Sequence, residues 1–123
     1  SCCMAPLQVF QGGRFWFSVG TPGSWGIPQT TTQMILNIVE FGANPQLAIE
    51  APRIRLQEGT RVLIETRIDQ RVREELASKG HDLELIGDFS WIVGGGQSVM
   101  IDLDSGARLG GADPRRDGYA LAY

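Results

Sequence analysis

The chemistry this chain could support centres on seven residues, Gly20-Thr21-Pro22-Gly23-Ser24-Trp25-Gly26. To their left runs Arg14-Phe15-Trp16-Phe17-Ser18-Val19, rich in aromatic and β-branched strand formers, and to their right Ile27-Pro28-Gln29 opens a segment of helical spacing. Glycine lets a backbone approach a ligand closely, and the first turn of a helix carries N–H groups with no internal partner. A loop of this kind can aim two fixed donors at a point where negative charge develops. From composition alone it reads as a plain Pro-Gly turn.

The other residues of chemical interest offer less. Thr30-Thr31-Thr32 lies inside a helix start and has no free amine to act as its base, so it is rejected as a nucleophile. His81, the single histidine, follows Gly80 at a helix exit and reads as a solvated residue beside the helix dipole. Cys2 and Cys3 are adjacent, a spacing that strains a mutual bridge, and with one histidine in the chain they make no metal set. They read as free thiols, which leaves the compartment open. Gly94-Gly95-Gly96-Gln97 lacks the Lys-Ser/Thr of a phosphate-binding loop and no helix-forming run follows, so it reads as a turn entering a strand. Trp16, Trp25 and Trp91 read as packing residues, with Trp25 also placed to line a pocket beside the glycine loop.

The elements that must position these residues are mixed. Leu7-Gln8-Val9-Phe10 and 14–19 flank Gln11-Gly12-Gly13, a hairpin signal, and Phe15, Phe17 and Val19 mark the buried face. A helix is expected over 28–41, with Met34, Ile35, Ile38, Val39 and Phe41 on its apolar stripe and Gly42 closing it. Asn44 caps a short second helix from Pro45 to about Glu50, which Pro52 stops. Two strands, 53–56 and 61–65, precede a helix over 69–79 capped by Asp69, with Val72 and Leu76 inward. Strands follow at 82–86, 98–103 and 107–110. This alternation, with frequent hairpins, indicates an α/β or α+β fold.

The 123 residues are enough for a core, and 42% hydrophobic against 20% charged residues indicates a globular chain. A net charge of −3 with scattered basic residues argues against nucleic acid as a partner. No apolar run approaches the roughly 20 residues needed to cross a bilayer, so no membrane span is expected. The opening on Ser1 without an initiator Met suggests a piece of something longer.

Several segments in one order carry a resemblance. Pro22-Gly23-Ser24 after a hairpin, Asn44-Pro45-Gln46-Leu47-Ala48-Ile49-Glu50-Ala51-Pro52-Arg53, the Gly80-His81 helix exit, and Ala112-Asp113-Pro114-Arg115-Arg116-Asp117-Gly118 closing on Tyr123 together resemble the C-terminal part of the small subunit of γ-glutamyltransferases (γ-glutamyltranspeptidases). The resemblance implies an α+β fold, part of the four-layer αββα sandwich of the N-terminal-nucleophile hydrolases, with 1–123 as a single incomplete domain. It implies acyl transfer from a γ-glutamyl amide through a Thr nucleophile on a preceding segment, so this chain alone lacks the nucleophile and would be inactive. The implied partners are the upstream remainder of the enzyme, with its large subunit, and a small γ-glutamyl or acyl-amide substrate; no metal or organic cofactor is implied.

By the same resemblance Gly23 and Ser24 match the Gly-Gly pair whose N–H groups form the oxyanion hole, with Ser24 replacing the usual second Gly. Cys2 and Cys3 match a Ser-Ser pair that helps hold the α-carboxylate of the glutamyl group, and a thiol is the weaker donor. That departure favours an acylase of the same superfamily with another acyl specificity. The contrasting expectation is a catalytically silent piece that only completes a partner. Asp113, Arg115, Arg116 and Asp117 are expected to tie the tail down through ion pairs. Strand edges left open by the missing part would favour self-association.

Overall fold

The structure, a computed structural model, describes residues 5–121; Cys2 and Cys3 lie outside them. Strands β1 (Leu7–Gln11) and β2 (Arg14–Gly20) form the expected hairpin. Gly12 and Gly13 both turn through positive φ, 59° and 77°, the left-handed pair that matches the twist of a two-residue hairpin. β2 pairs in turn with β6 (Gln97–Ile101), and β6 with β7 (Arg108–Ala112), giving an antiparallel sheet of order β1-β2-β6-β7.

Helices α1 (Ile27–Val39) and α2 (Pro45–Glu50) cover one face of that sheet. Phe17 and Val19 of β2 and Met100 of β6 share this face, because Phe17 lies opposite Met100 in register. They pack with Met34 and Ile38 of α1 and Ala48 and Ile49 of α2 into the main core. Each of these side chains larger than Ala48 contributes about 1.5–3 kcal/mol by leaving water. The stripe on α1 is narrower than expected: Val39 and Phe41 are exposed, since the helix ends at Val39 and the chain turns away toward Gly42 at φ 66°. Asn44 caps α2 as expected, accepting the Leu47 N–H at 2.9 Å.

The second sheet joins β3 (Ile54–Leu56) and β4 (Arg61–Ile64) as a hairpin, and β5 (Asp82–Leu85) runs parallel to β4 after the crossover through α3 (Gln70–Ser78). Val62, Leu63 and Ile64 are buried. Asp69 caps α3 through the Arg71 N–H, but α3 buries nothing: Val72 is exposed and Leu76 only half-buried. The tail returns over the other face of the first sheet, where a Cβ at Gly110 would meet that of Ala120 at 3.0 Å.

Candidate active site

The loop from Gly20 to Gly26 leaves β2 at the end of the first sheet and enters α1 through a 3-10 turn, Ser24–Gly26. Gly23 sits at φ 141° and Ser24 at φ 51°, a left-handed conformation uncommon for a residue with a side chain. Among the described residues, neither the Gly23 N–H nor the Ser24 N–H donates a hydrogen bond. The carbonyls at the far end of those same two peptides are both occupied. The Thr21 hydroxyl donates to the Pro22 carbonyl at 2.8 Å, and the Gly26 N–H donates to the Gly23 carbonyl at 2.9 Å. A trans peptide points its N–H opposite its C=O, so each free N–H is directed away from the bond that holds its carbonyl.

Beneath the loop lies the glycine run that precedes β6. The Thr21 hydroxyl accepts the Gly95 N–H at 2.9 Å, and Thr30 of α1 donates to the Val93 carbonyl at 2.9 Å. Gly94, at φ 97°, has no room for a side chain, since a Cβ there would stand 2.5 Å from the Thr21 hydroxyl. A Cβ at Gly96 would likewise stand 2.5 Å from the buried Met34 sulfur, whereas one at Gly95 would displace the exposed Arg116 side chain, 2.4 Å away. This stretch is thus a turn into a strand, and also a packing surface. On the other flank, the Arg55 guanidinium lies under Gly26, 3.3 Å from where its Cβ would be, and donates to the Ile92 carbonyl at 3.0 Å.

The glycine run is fastened in turn to a buried ionic cluster. Asp113 accepts the Gly96 N–H at 2.7 Å, and Glu65 accepts the Ser90 N–H at 3.0 Å. Arg53 pairs with Asp113 at 2.7 Å and also donates to the Val93 carbonyl at 3.2 Å. Arg115 grips Glu65 with two parallel bonds, Nε to Oε1 at 2.7 Å and Nη2 to Oε2 at 2.6 Å, and reaches Asp113 at 3.0 Å. It also donates to the Ile49 and Ala51 carbonyls, both at 2.9 Å, which ties in α2. Two fully buried cations face two fully buried anions, the part-exposed Arg67 adds a bond to Glu65 at 3.1 Å, and nearly every polar atom finds a partner.

Burial would raise the Glu65 carboxyl, but the hydrogen bond from Arg115 and the N–H groups of Ser90 and Arg53 outweigh it and hold it below the usual carboxylate range. Asp113 follows the same pattern, with burial opposed by the Arg53 charge and the Gly96 and Arg115 N–H groups. Burial also opposes the charge on Arg115, whose bonds to Glu65 and Asp113 nevertheless raise its value. Arg53 moves the other way, its burial reinforced by the nearby Arg115 charge, although it keeps the Asp113 ion pair.

The expected ion-paired tail is therefore present at Asp113 and Arg115, while Arg116 instead lies over the Trp91 ring at 5.8 Å and donates to the Trp91 carbonyl. Sequence spacing places Arg53 and Glu65 in strands, and Arg53 also ends the segment that carries the resemblance, but neither is singled out for the cluster; the signal available is a pair of charged side chains beside apolar runs. Thr30 and Thr31 are buried with their hydroxyls spent on backbone carbonyls, in keeping with their rejection as nucleophiles. His81 is half-buried rather than solvated, and its Nδ1 finds no partner among the described residues. Trp25 and Trp91 do not pack into the core but stand 84% and 66% exposed on this chain. Trp25 borders an open cleft with Gln29, Arg55 and Arg61, beside the loop. Among the described residues no three His, Cys, Asp or Glu side chains are placed to hold a metal ion.

The model of one family, gamma-glutamyltranspeptidase, matches residues 1–123. This chain belongs to the γ-glutamyltranspeptidase family. Within it, the chain is 35% identical to a glutathione hydrolase-like YwrD proenzyme of Bacillus subtilis over 96% of its own length and 23% of that protein's. It is 32% identical to the acylase ACY 1 proenzyme of a Pseudomonas species, over 97% of this chain and 20% of that one. The chain thus spans about a fifth to a quarter of the curated relatives it matches.

Among solved structures, the cephalosporin acylase of Bacillus halodurans superposes with a TM-score of 0.89 at 30% identity, covering 96% of this chain and 22% of that one. A γ-glutamyltranspeptidase of Pseudomonas nitroreducens complexed with L-DON superposes with a TM-score of 0.82 over 100% of this chain and 63% of that one, and at 24% identity it speaks to the fold alone. The fold of this γ-glutamyltranspeptidase family member is that of the N-terminal-nucleophile hydrolases, α+β, to which this chain contributes the helices and sheets described above.

Proposed function

We propose that this chain is the C-terminal portion of an enzyme that cleaves or transfers amide-linked acyl groups, and that it supplies the oxyanion hole. The observation that carries the reading is the pair of N–H groups at Gly23 and Ser24, free of partners among the described residues while the opposite ends of their peptides are held. In this reading a Thr at the start of the catalytic subunit, on the segment upstream, attacks the amide carbonyl, and its proton passes to its own α-amine. A C–O bond forms, and the carbonyl oxygen takes the negative charge that the two N–H groups stabilise. Collapse breaks the C–N bond, and the leaving amine takes the proton, giving an acyl ester that water or an acceptor amine then resolves. The upstream remainder of the enzyme, with its large subunit, is the partner this requires.

The acyl group most in keeping with the family is γ-glutamyl, with Trp25 beside the loop as a pocket wall. The second reading is a non-glutamyl acylase, favoured by Cys2-Cys3 standing where the resemblance places a hydroxyl pair, and by the acylase among the relatives. A thiol grips an α-carboxylate less well than a hydroxyl.

Turnover of γ-glutamyl-p-nitroanilide and glutaryl-p-nitroanilide by the complete protein separates the two. Faster release from the γ-glutamyl compound supports the transpeptidase reading. Preference for the glutaryl compound, which keeps the terminal carboxylate but lacks the α-amino group, replaces it by the acylase. Release from neither compound, with a properly matured protein, removes both.

A further inference from the structure

The direction of an N–H group in a loop is set by whatever holds the rest of its peptide. For the Gly23 N–H, that holder is Thr21, whose hydroxyl donates to the Pro22 carbonyl at 2.8 Å while accepting the Gly95 N–H at 2.9 Å. The hydroxyl therefore uses its proton on the loop and a lone pair on the glycine run, bridging stretches 74 residues apart. Its surroundings are fitted to it, since Gly94 has no Cβ where one would stand 2.5 Å from this oxygen. The glycine run cannot follow a loose loop, because its next residue, Gly96, is fastened to the buried Asp113 at 2.7 Å.

We infer that Thr21 is a positioning residue, whose hydroxyl aims the Gly23 N–H by clamping the other end of its peptide to the immobile glycine run. This rests on the oxyanion reading above and adds to it the side chain on which the aim depends. An oxyanion donor interacts with charge that exists only in the transition state. Acylation and deacylation both pass through such a charge, so misdirecting the donor slows both steps and leaves KM in place.

The test uses the complete, matured protein and whichever of γ-glutamyl- and glutaryl-p-nitroanilide it turns over. Thr21→Val keeps the side chain's shape and removes both hydrogen bonds, whereas Thr21→Ser keeps both. The inference predicts that Thr21→Val lowers kcat by about 10- to 100-fold with KM within twofold, and that Thr21→Ser stays near wild type with the same Tm. Unchanged kcat in Thr21→Val, or an equal loss in Thr21→Ser, overturns it. Should Thr21→Val fail to mature or lose its Tm, an ester in place of the Gly95 amide deletes only the proton that Thr21 accepts. The same fall in kcat at constant KM is required there, and unchanged kcat overturns the inference. An ester in place of the Ser24 amide distinguishes the two levels: if it lowers kcat while Thr21→Val does not, Thr21 alone is dismissed; if it leaves kcat unchanged, the oxyanion reading itself falls.

Discussion

Arg115 and Glu65 meet through two parallel hydrogen bonds, at 2.7 and 2.6 Å, with both side chains shut off from solvent. The pair joins the C-terminal tail to the end of β4, and through the Ser90 N–H, which Glu65 also accepts, to the segment that carries the glycine run. A chain of bonds thus leads from the tail, through Glu65 and Asp113, to Gly96, Gly95 and Thr21 of the Gly20–Gly26 loop. The most buried charges in the chain serve to hold backbone in place rather than to react.

Glu65→Gln should therefore be costly. It keeps the side chain's shape but leaves the buried Arg53 and Arg115 to share the single charge of Asp113, and removing one partner of a buried pair typically costs about 3–5 kcal/mol. Urea denaturation of the matured protein checks this. A midpoint equal to that of the wild type would show that Asp113 alone compensates both guanidinium groups.

The same cluster sets a pH limit. Glu65 and Asp113 are held below the ordinary carboxylate range in the folded chain. Groups with depressed folded values contribute stability that is fully present above their unfolded values, about 4, and lost as pH falls through the folded ones. The urea midpoint should be level from about pH 7 to 5 and fall below about pH 4. In Glu65→Gln the fall should be shallower, because one of the two depressed carboxylates is gone. An acid fall of equal steepness in that variant would place the sensitivity elsewhere.

Much of this architecture was legible because local chemistry decides it. Gly12-Gly13 requires positive φ at a hairpin, and Asn44 before Pro45 can hardly do other than cap a helix. The cluster was half legible: Asp113 and Arg115 stand two residues apart in a polar tail, but their partners Arg53 and Glu65 come from sequence positions about half a chain away and sit in strand-like runs. Periodicity reports which face a residue takes, not which charge waits there. For the same reason it placed Val72 inward on α3, a helix that buries nothing on this chain, and could not foresee that Thr21 would meet Gly95. Trp91 looked like core because it is large and apolar, yet it stays exposed beneath the Arg116 guanidinium.

Trp25 offers a separation of stability from binding. Its side chain is 84% exposed on this chain, so Trp25→Ala should change unfolding free energy by less than about 0.5 kcal/mol. As a wall of the acyl pocket it should instead raise KM for the p-nitroanilide substrate several-fold. A lowered Tm with unchanged KM would mean that the upstream part of the protein packs on the indole and that the substrate does not touch it.

The N–H groups of Gly23 and Ser24 are the proposed receivers of the developing oxyanion. Replacing the Ser24 amide by an ester in the complete protein removes one of those protons and keeps the side chain. The account predicts kcat lower by about 10²- to 10³-fold with KM little changed, as for loss of one oxyanion donor. An ester variant with the kcat of the wild type would contradict it.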